Sequence, residues 1–150
     1  MMLSRQANHA LKALLELAAR PLEWQSTHAL ATAHHLPEPM LEQLLLRLRR
    51  AGLLDARRGR VGGYRLSRPA REISMEQILA GLGETLKEIA NQPASSEPAS
   101  SPADQVTNAL QLRLERVRQK TLAELSLEDL LFDLRSAVAG SDSEGGVMLG

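Results

Sequence analysis

The residues with the clearest chemical potential are arginines, which crowd into one segment in the middle of the chain. Nine arginines and a single acid, Asp55, lie between positions 47 and 71; the arginines are Arg47, Arg49, Arg50, Arg57, Arg58, Arg60, Arg65, Arg68 and Arg71. A solvated surface normally mixes both signs of charge, so this one-sided run indicates neutralisation of phosphates. At Arg58-Gly59-Arg60 the glycine permits a tight turn, and arginines at its tip suit a narrow, strongly negative minor groove.

The segment before this turn has the periodicity of an amphipathic helix. Pro37 and Pro39 fit only an opening turn and Gly52 is placed for a left-handed cap, so the helix runs from Glu38 to Arg50. One side is apolar, and the other carries Pro39, Glu42, Gln43, Leu46, Arg47 and Arg50. Gln can bond adenine, Glu can accept from cytosine and Leu can touch thymine, so this side suits a major groove. Taken alone, however, the helix is better interpreted as an ordinary amphipathic surface helix.

The stretch after this helix favours the DNA-binding interpretation over an ordinary surface helix, because it predicts two short strands around the Arg/Gly-rich turn. A helix followed by such a hairpin is typical of a winged helix-turn-helix. Upstream, Ser4 caps a first helix that ends before Pro21, and Ser26 or Thr27 caps a second one through about His34. We therefore predict a mainly α fold: a winged helix-turn-helix with a two-stranded β-wing and a long dimerisation helix.

The composition excludes several classes of function. The 150 residues contain no cysteine, which excludes disulfides, thiolate metal sites and a cysteine nucleophile. His34 and His35 are adjacent and cannot form the usual i, i+4 metal pair, so we predict no metal. No nucleophile–base pair or phosphate-binding loop before a helix is visible, so an enzyme has little support and no cofactor is predicted. The chain has no apolar run of transmembrane length and no secretion signal, which predicts a cytoplasmic protein with no membrane partner.

Charge divides the chain into two halves. Residues 1–71 hold 12 Lys+Arg against 5 Asp+Glu, whereas residues 72–150 hold 6 against 13. A basic half and an acidic half fit one surface that faces DNA and one that faces away. We expect a DNA-binding domain at 1–86, a flexible Pro/Ala/Ser-rich loop at 87–104, a dimerisation helix and a C-terminal helix at 105–139, and a disordered tail at 140–150.

The longest helical signal, from about Ala103 to Ala123, carries an apolar stripe formed by Val106, Leu110, Leu114 and Val117. Such a stripe could pack inside the monomer or against a second copy. Dimerisation is favoured because a single winged helix covers too few base pairs for specific affinity, and two-fold symmetry doubles the site.

Two motifs at a fixed separation carry a resemblance to a known family. The first is Leu41-Glu42-Gln43-Leu44 with Ala51-Gly52-Leu53, and the second is Arg58-Gly59 with Gly62-Gly63-Tyr64. Together they resemble the IscR/NsrR/CymR-type family of bacterial winged-helix regulators, named Rrf-two, over about the first 85 residues and more loosely beyond. The resemblance implies that the helix from Glu38 to Arg50 enters the major groove, Arg58 enters the minor groove, and the long helix crosses its twin.

The chain also departs from that family. Cluster-binding members carry three cysteines in the loop, and the last would fall near Gln105, with Asn108 where some members place a further ligand. Gln and Asn are poor ligands for soft iron, so we predict no iron–sulphur cluster. Met40 stands where members often have tyrosine, and Pro39 where a small hydroxyl residue is frequent, so the operator sequence does not transfer.

The sequence thus predicts a homodimeric, sequence-specific transcriptional regulator that binds double-stranded DNA at a palindromic operator and represses. The predicted DNA-binding residues are Lys12, Pro39, Met40, Glu42, Gln43, Arg47, Arg50, Arg57, Arg58 and Arg60. The signal is left open between a regulatory protein partner, a small-molecule effector and constitutive binding. The alternative is a protein-interaction module whose acidic half binds an enzyme or another regulator, with DNA binding secondary or lost.

Overall fold

The computed structural model describes residues 3–84 and 101–148, with side chains up to residue 141. Within these ranges the helices are α1 (Arg5–Ala19), α2 (Thr27–His34), α3 (Glu38–Arg50), α4 (Met75–Gly81), α5 (Pro102–Glu124) and α6 (Leu127–Met148). The strands β1 (Leu54–Arg57) and β2 (Gly63–Leu66) follow α3, and a 3-10 turn (Ala70–Glu72) precedes α4. The predicted mainly α fold with a two-stranded wing and long C-terminal helices is confirmed.

Side-chain caps start the first two helices where the sequence predicts them. The Ser4 hydroxyl accepts from the Ala7 N–H at 3.0 Å, and the Ser26 hydroxyl accepts from the Ala29 N–H at 3.0 Å. Each cap satisfies one of the amide donors that the first turn of a helix leaves unpaired. The buried side of α1 is built from Ala7, Ala10, Leu11, Ala13, Leu14, Leu17 and Ala18. Its alanines let neighbouring elements approach closely.

The turn between α2 and α3 depends on one left-handed residue. His35 has φ 53 and ψ 46, and the Leu36 N–H donates to the Ala31 carbonyl at 2.9 Å, which closes the end of α2. The chain then enters α3 with Pro39 in its first turn, where proline is tolerated. At the other end Gly52 has φ 81, as the predicted cap requires. The inward side of α3 is fully apolar, with Leu41, Leu44, Leu45 and Leu48 buried.

The wing is an antiparallel hairpin in which Leu54 pairs with Leu66 and Arg57 with Gly63. The segment around Trp24, which precedes α2, is joined to the wing by a β-bridge. The Gln25 N–H donates to the Tyr64 carbonyl at 3.0 Å, and the Tyr64 N–H donates to the Gln25 carbonyl at 2.8 Å. This bridge fixes β2, which pairs with β1 on its other edge, against the segment that leads into α2.

A second short bridge attaches the C-terminal helices to the winged domain. Ser74 and Gln77 form a capping box at the start of α4, in which each side chain accepts the backbone N–H of the other residue. Beside it, the Met75 N–H donates to the Leu125 carbonyl at 2.8 Å, and the Leu127 N–H donates to the Ile73 carbonyl at 2.8 Å. The start of α6 is therefore held to the core, where Leu127 and Leu131 are buried.

The C-terminal half differs from the expectation at two boundaries. Most of the predicted loop at 87–104 lies outside the described residues, but Ser101 caps α5 and residues 102–104 already belong to its first turn. The tail expected to be disordered from Gly140 differs as well, because α6 continues to Met148. Extending an existing helix adds one hydrogen bond for each residue ordered, so glycines cost about 1 kcal/mol each without ending it.

Candidate nucleic-acid interface

The outward side of α3 presents most of the side chains that the sequence predicts for it. Pro39, Gln43, Arg47 and Arg50 are exposed, whereas Met40 and Leu46 are half-buried. The Arg47 guanidinium donates to the Leu82 carbonyl at 3.5 Å, which places it beside the end of α4. Gln43 is exposed on this side, and its amide can pair with an adenine edge through two hydrogen bonds.

Glu42 has a different environment from the one the sequence analysis assigns to it. Its carboxylate accepts from the Thr27 hydroxyl at the start of α2, and its other oxygen accepts from the Tyr64 hydroxyl on β2 at 3.0 Å. Burial and this hydrogen bond raise the pKa of Tyr64 to about 12, so the phenol stays protonated and donates. Glu42 therefore joins α2, α3 and the wing, and both of its oxygens are engaged within the protein.

The turn of the wing is an exposed part of the basic segment. All five residues from Arg57 to Val61 are exposed, and the Gly62 N–H donates to the Gly59 carbonyl at 3.0 Å to close the turn. A Cβ at Gly62 would lie 2.1 Å from the Arg57 carbonyl oxygen, so only glycine fits there. The tight turn leaves Arg58 and Arg60 on the outside of the hairpin.

The Trp24 ring lies against two arginines of the wing strands. The Arg65 guanidinium lies 4.2 Å from the centroid of the Trp24 ring, and the Arg57 guanidinium lies 5.9 Å from it. Cation–π contacts of this kind restrain an arginine without removing its charge. The sequence analysis missed this role of Trp24 because the two partners are more than 30 residues away along the chain.

The arginines of the segment are not neutralised by the protein itself. In the part of the chain that the structure describes, none of the nine arginines between positions 47 and 71 forms an ion pair with a carboxylate. Asp55 sits opposite Arg65 in the hairpin register without such a pair. Unpaired guanidinium groups on one side of a molecule create the positive potential that attracts polyanions. We call this surface, the outward side of α3 with residues 57–61, the basic face.

Lys12 is the one predicted DNA-binding residue that belongs to another element. It is exposed on α1, opposite the side that packs into the core. In the part of the chain that the structure describes, no hydrogen bond or ion pair links Lys12 to α3 or to the wing, so its place in the interface stays a prediction.

A second exposed surface lies on α5, where the predicted apolar stripe faces away from the core. No residue of this helix is buried, and Val106, Leu110, Leu114 and Val117 are 69%, 53%, 60% and 59% exposed. On α6, Phe132 and Val138 are also exposed, although the sequence analysis does not include them. The alternative that the stripe packs inside the monomer is therefore wrong. A row of exposed aliphatic side chains of this size marks an interaction surface.

The donor groups of the chain do not fit an iron–sulphur cluster. Such clusters are held by thiolates, and the complete sequence has no cysteine. In residues 3–84 and 101–141, no three His, Asp or Glu side chains gather closely enough to hold a metal ion. No helix of the described segments is long and apolar enough to cross a membrane.

Comparison with known proteins gives the same picture as the geometry. A model of the Rrf2 family, described as an iron-dependent transcriptional regulator, matches residues 3–133. A Synechocystis protein assigned as an HTH-type transcriptional regulator is 39% identical over 137 residues, which is 91% of each chain. The HTH-type transcriptional regulator IscR of Cereibacter sphaeroides is 37% identical over 114 residues, covering 73% of this chain and 74% of IscR.

Solved structures agree with these relatives. CymR, the global cysteine regulator of B. subtilis, superposes with a TM-score of 0.72 at 28% identity, covering 87% of this chain and 96% of CymR. The IscR of T. potens superposes with a TM-score of 0.72 at 28% identity, covering 91% of this chain and 90% of its own. The chain therefore belongs to the Rrf2 family of helix-turn-helix transcriptional regulators, although it lacks the thiolates that an iron–sulphur cluster would need.

Proposed function

We propose that two copies of this protein associate through α5 and present their basic faces to a palindromic operator, where the dimer represses transcription. The observation that carries the proposal is the unpaired positive charge of the wing turn beside the exposed polar side of α3. Phosphate contacts and groove contacts of this kind are how winged proteins position themselves on a duplex. The family model is described as a transcriptional regulator, which supports DNA as the partner.

In this proposal the side chains of the basic face divide by task. Gln43, with Pro39 and Met40 beside it, reads base edges in the major groove. Arg58 and Arg60 enter the adjacent minor groove, where their charge is favoured by the narrow walls. The phosphates on either side are held by Arg47, Arg50, Arg57 and Lys12.

Glu42 is reassigned by its contacts from a base reader to a positioning residue. Its carboxylate joins Thr27 on α2 to Tyr64 on the wing, so it fixes the angle between the helix that reads bases and the hairpin that reads the minor groove. Each carboxylate oxygen could accept a second hydrogen bond, but these two bonds already hold the group towards α2 and the wing, which favours a positioning role over contact with a cytosine amino group. A base-directed role for Gln43 is unaffected, because that side chain is exposed.

The second exposed surface supports dimerisation. Two copies of α5 that cross at the apolar stripe would bury side chains that the monomer leaves in water, and a two-fold axis would place two basic faces on one side. Dimers of winged proteins bind half-sites about one helical turn apart, which is why the operator is expected to be palindromic.

The proposal is tested by selection of binding sites from a pool of random duplexes, followed by titration of the selected duplex in a gel shift. We expect a two-fold symmetric site and an affinity that falls steeply with salt, because phosphate contacts release counterions. Recovery of no enriched sequence, with no retention of duplex DNA at low ionic strength, would contradict it. Capture of a partner protein under those conditions would instead favour the interaction-module alternative.

A further inference from the structure

We propose that Trp24 is a positioning residue for DNA binding, and that the two arginines on its ring, Arg65 and Arg57, hold the phosphate backbone beside the wing turn. We call these three residues the arginine clamp. Arg65 is a contact that the proposed function does not include, and Trp24 acts through it without touching DNA. The inference rests on the proposed DNA binding and adds to it a phosphate site on the flank of the wing.

The ring and the two arginines meet because two backbone pairings lie on either edge of β2. The bridge at Gln25 aligns the preceding residue, Trp24, with Arg65. On the other edge Arg57 pairs with Gly63, which is two residues from Arg65, so the two arginines belong to the same face of the hairpin. Because Gly63 has no side chain, β2 places nothing between Arg57 and the ring.

Arg65 has both a carboxylate and an aromatic ring as neighbours, and its guanidinium lies over the ring. Asp55 is opposite Arg65 in the hairpin register, yet the two form no ion pair. The guanidinium carbon of Arg65 is 4.2 Å from the centroid of the Trp24 ring. An ion pair would neutralise the guanidinium, whereas an aromatic face holds it and leaves its charge and its N–H groups available.

The N–H groups of both clamp arginines are unused within the protein. In residues 3–84 and 101–141, no hydrogen bond or ion pair involves the guanidinium of Arg57 or Arg65. Arg57 is exposed and Arg65 is half-buried. The donors of a guanidinium point outward in its plane, so contact of its face with a ring leaves them free to bind a phosphate through two parallel hydrogen bonds.

The position of the clamp makes duplex phosphate the partner that it fits. Arg57 immediately precedes Arg58, so the clamp continues the positive charge of the wing turn along the hairpin. Its two guanidinium groups outweigh the single carboxylate of Asp55 and attract an anion. A free arginine side chain loses rotamer entropy when it binds, and an arginine already held by a ring loses less. Trp24 therefore raises the affinity for DNA without supplying any charge.

Gel-shift titration of the selected duplex at several salt concentrations tests the clamp in the full chain. Arg65→Gln should weaken binding by about fivefold or more, and the slope of log affinity against log salt should become less steep by about 2, since a dimer loses two phosphate contacts. The same loss is expected on a duplex of random sequence, because a phosphate contact does not read bases. Arg20→Gln, at an exposed arginine paired with Glu23, is the control and should leave affinity and slope unchanged.

Variants of Trp24 separate positioning of Arg65 from a merely structural role. Trp24→Leu keeps every charge, yet it should weaken binding about as much as Arg65→Gln, whereas Trp24→Phe keeps an aromatic face and should retain most of the affinity. The double variant should bind within about twofold of Arg65→Gln alone, because both changes remove mainly the same contact. Circular dichroism confirms that each variant is folded.

Two results would overturn the clamp while the proposed function stands. Parent-like affinity and salt slope in Arg65→Gln would remove Arg65 from the interface. Effects of Trp24→Leu and Arg65→Gln that multiply in the double variant would show that Trp24 does not act through Arg65. If the parent itself binds no duplex at low ionic strength, the proposed function fails and the clamp fails with it, so the two failures are distinguished by the parent protein.

Discussion

The basic face and the apolar stripe are both exposed, but they differ in how many internal contacts hold them in place. The basic face is held in shape by internal contacts, with Glu42 joining three elements and Trp24 lying beneath two arginines. The stripe on α5 has no such support. No residue of α5 is buried, and among the described elements this helix contacts mainly α4. The basic face is held in shape within one chain, whereas the apolar stripe has no surface packed against it among the described residues.

The difference teaches how the two surfaces are expected to bind. A polar face that is organised before binding loses little side-chain entropy when it meets a charged partner, so its shape can determine which sequence is bound. An apolar stripe needs only a matching stripe, because burial of aliphatic area is non-directional. Changes to the stripe should therefore abolish assembly as a whole, and changes to the basic face should weaken binding by graded amounts.

The largest effect is expected from charge placed in the stripe. Leu110→Asp with Leu114→Asp should dissociate the dimer, because two carboxylates per chain would be buried without partners, and operator affinity should fall at least about 100-fold. Sedimentation velocity measures the assembly and a gel shift measures the affinity. Gln119→Asp, on the opposite side of α5, is the matched control and should stay dimeric. A double variant that remains dimeric would contradict the assignment of the stripe.

The next effect concerns the internal order of the basic face. Gly63 has φ 146, and a Cβ there would lie 2.3 Å from the Gln25 carbonyl oxygen, so Gly63→Ala should break the bridge between the wing and Gln25. We expect a loss of about 3 kcal/mol in the free energy of unfolding, measured with urea, from strain and steric overlap together. Gly140→Ala in α6, where a Cβ meets nothing, is the control and should be neutral or stabilising. A Gly63→Ala protein as stable as the parent would show that the bridge contributes little.

Removal of a single arginine from the turn should weaken DNA binding without unfolding the protein. Arg58→Ala is expected to cost about 1–3 kcal/mol in operator affinity, because the side chain contributes charge and contacts in the minor groove. Gel-shift titration gives the affinity, and circular dichroism confirms the fold. Arg20→Ala removes an exposed arginine that is paired with Glu23 outside the basic face, and it should bind like the parent. Unchanged binding would remove Arg58 from the site.

The smallest effect is expected at the phenol that bonds Glu42. Tyr64→Phe should lower stability at neutral pH by about 1 kcal/mol through the lost hydrogen bond. The folded-state pKa of Tyr64 is raised from 10.0 to about 12, so its contribution is complete below pH 10 and is lost as pH rises towards 12. Urea unfolding at pH 9 and pH 11 should therefore show a decline in the parent that is smaller in Tyr64→Phe. Equal declines in both proteins would contradict the assigned environment.

Much of the fold could be predicted because its signals are local. Ser4, Ser26 and the Ser74/Gln77 pair act on amides within three residues, and Gly52 sets the end of its own helix, so each is visible in a short window of sequence. The four leucines of α3 follow from helical periodicity alone. The α6 boundary could not be predicted in this way, since glycine and serine near Gly140 lower helix propensity without preventing extension.

What the sequence by itself determined is the order of the elements, the two charge halves and the family to which the chain belongs. Only the tertiary structure decided what surrounds each side chain. Glu42 is 15 residues from Thr27 and 22 from Tyr64, and Trp24 meets its two arginines across more than 30 residues. Such pairs arise only when the chain has folded, because nothing in a short segment specifies which distant donor will reach it. The exposure of the apolar stripe was decided in the same way, by the absence of any described element against it.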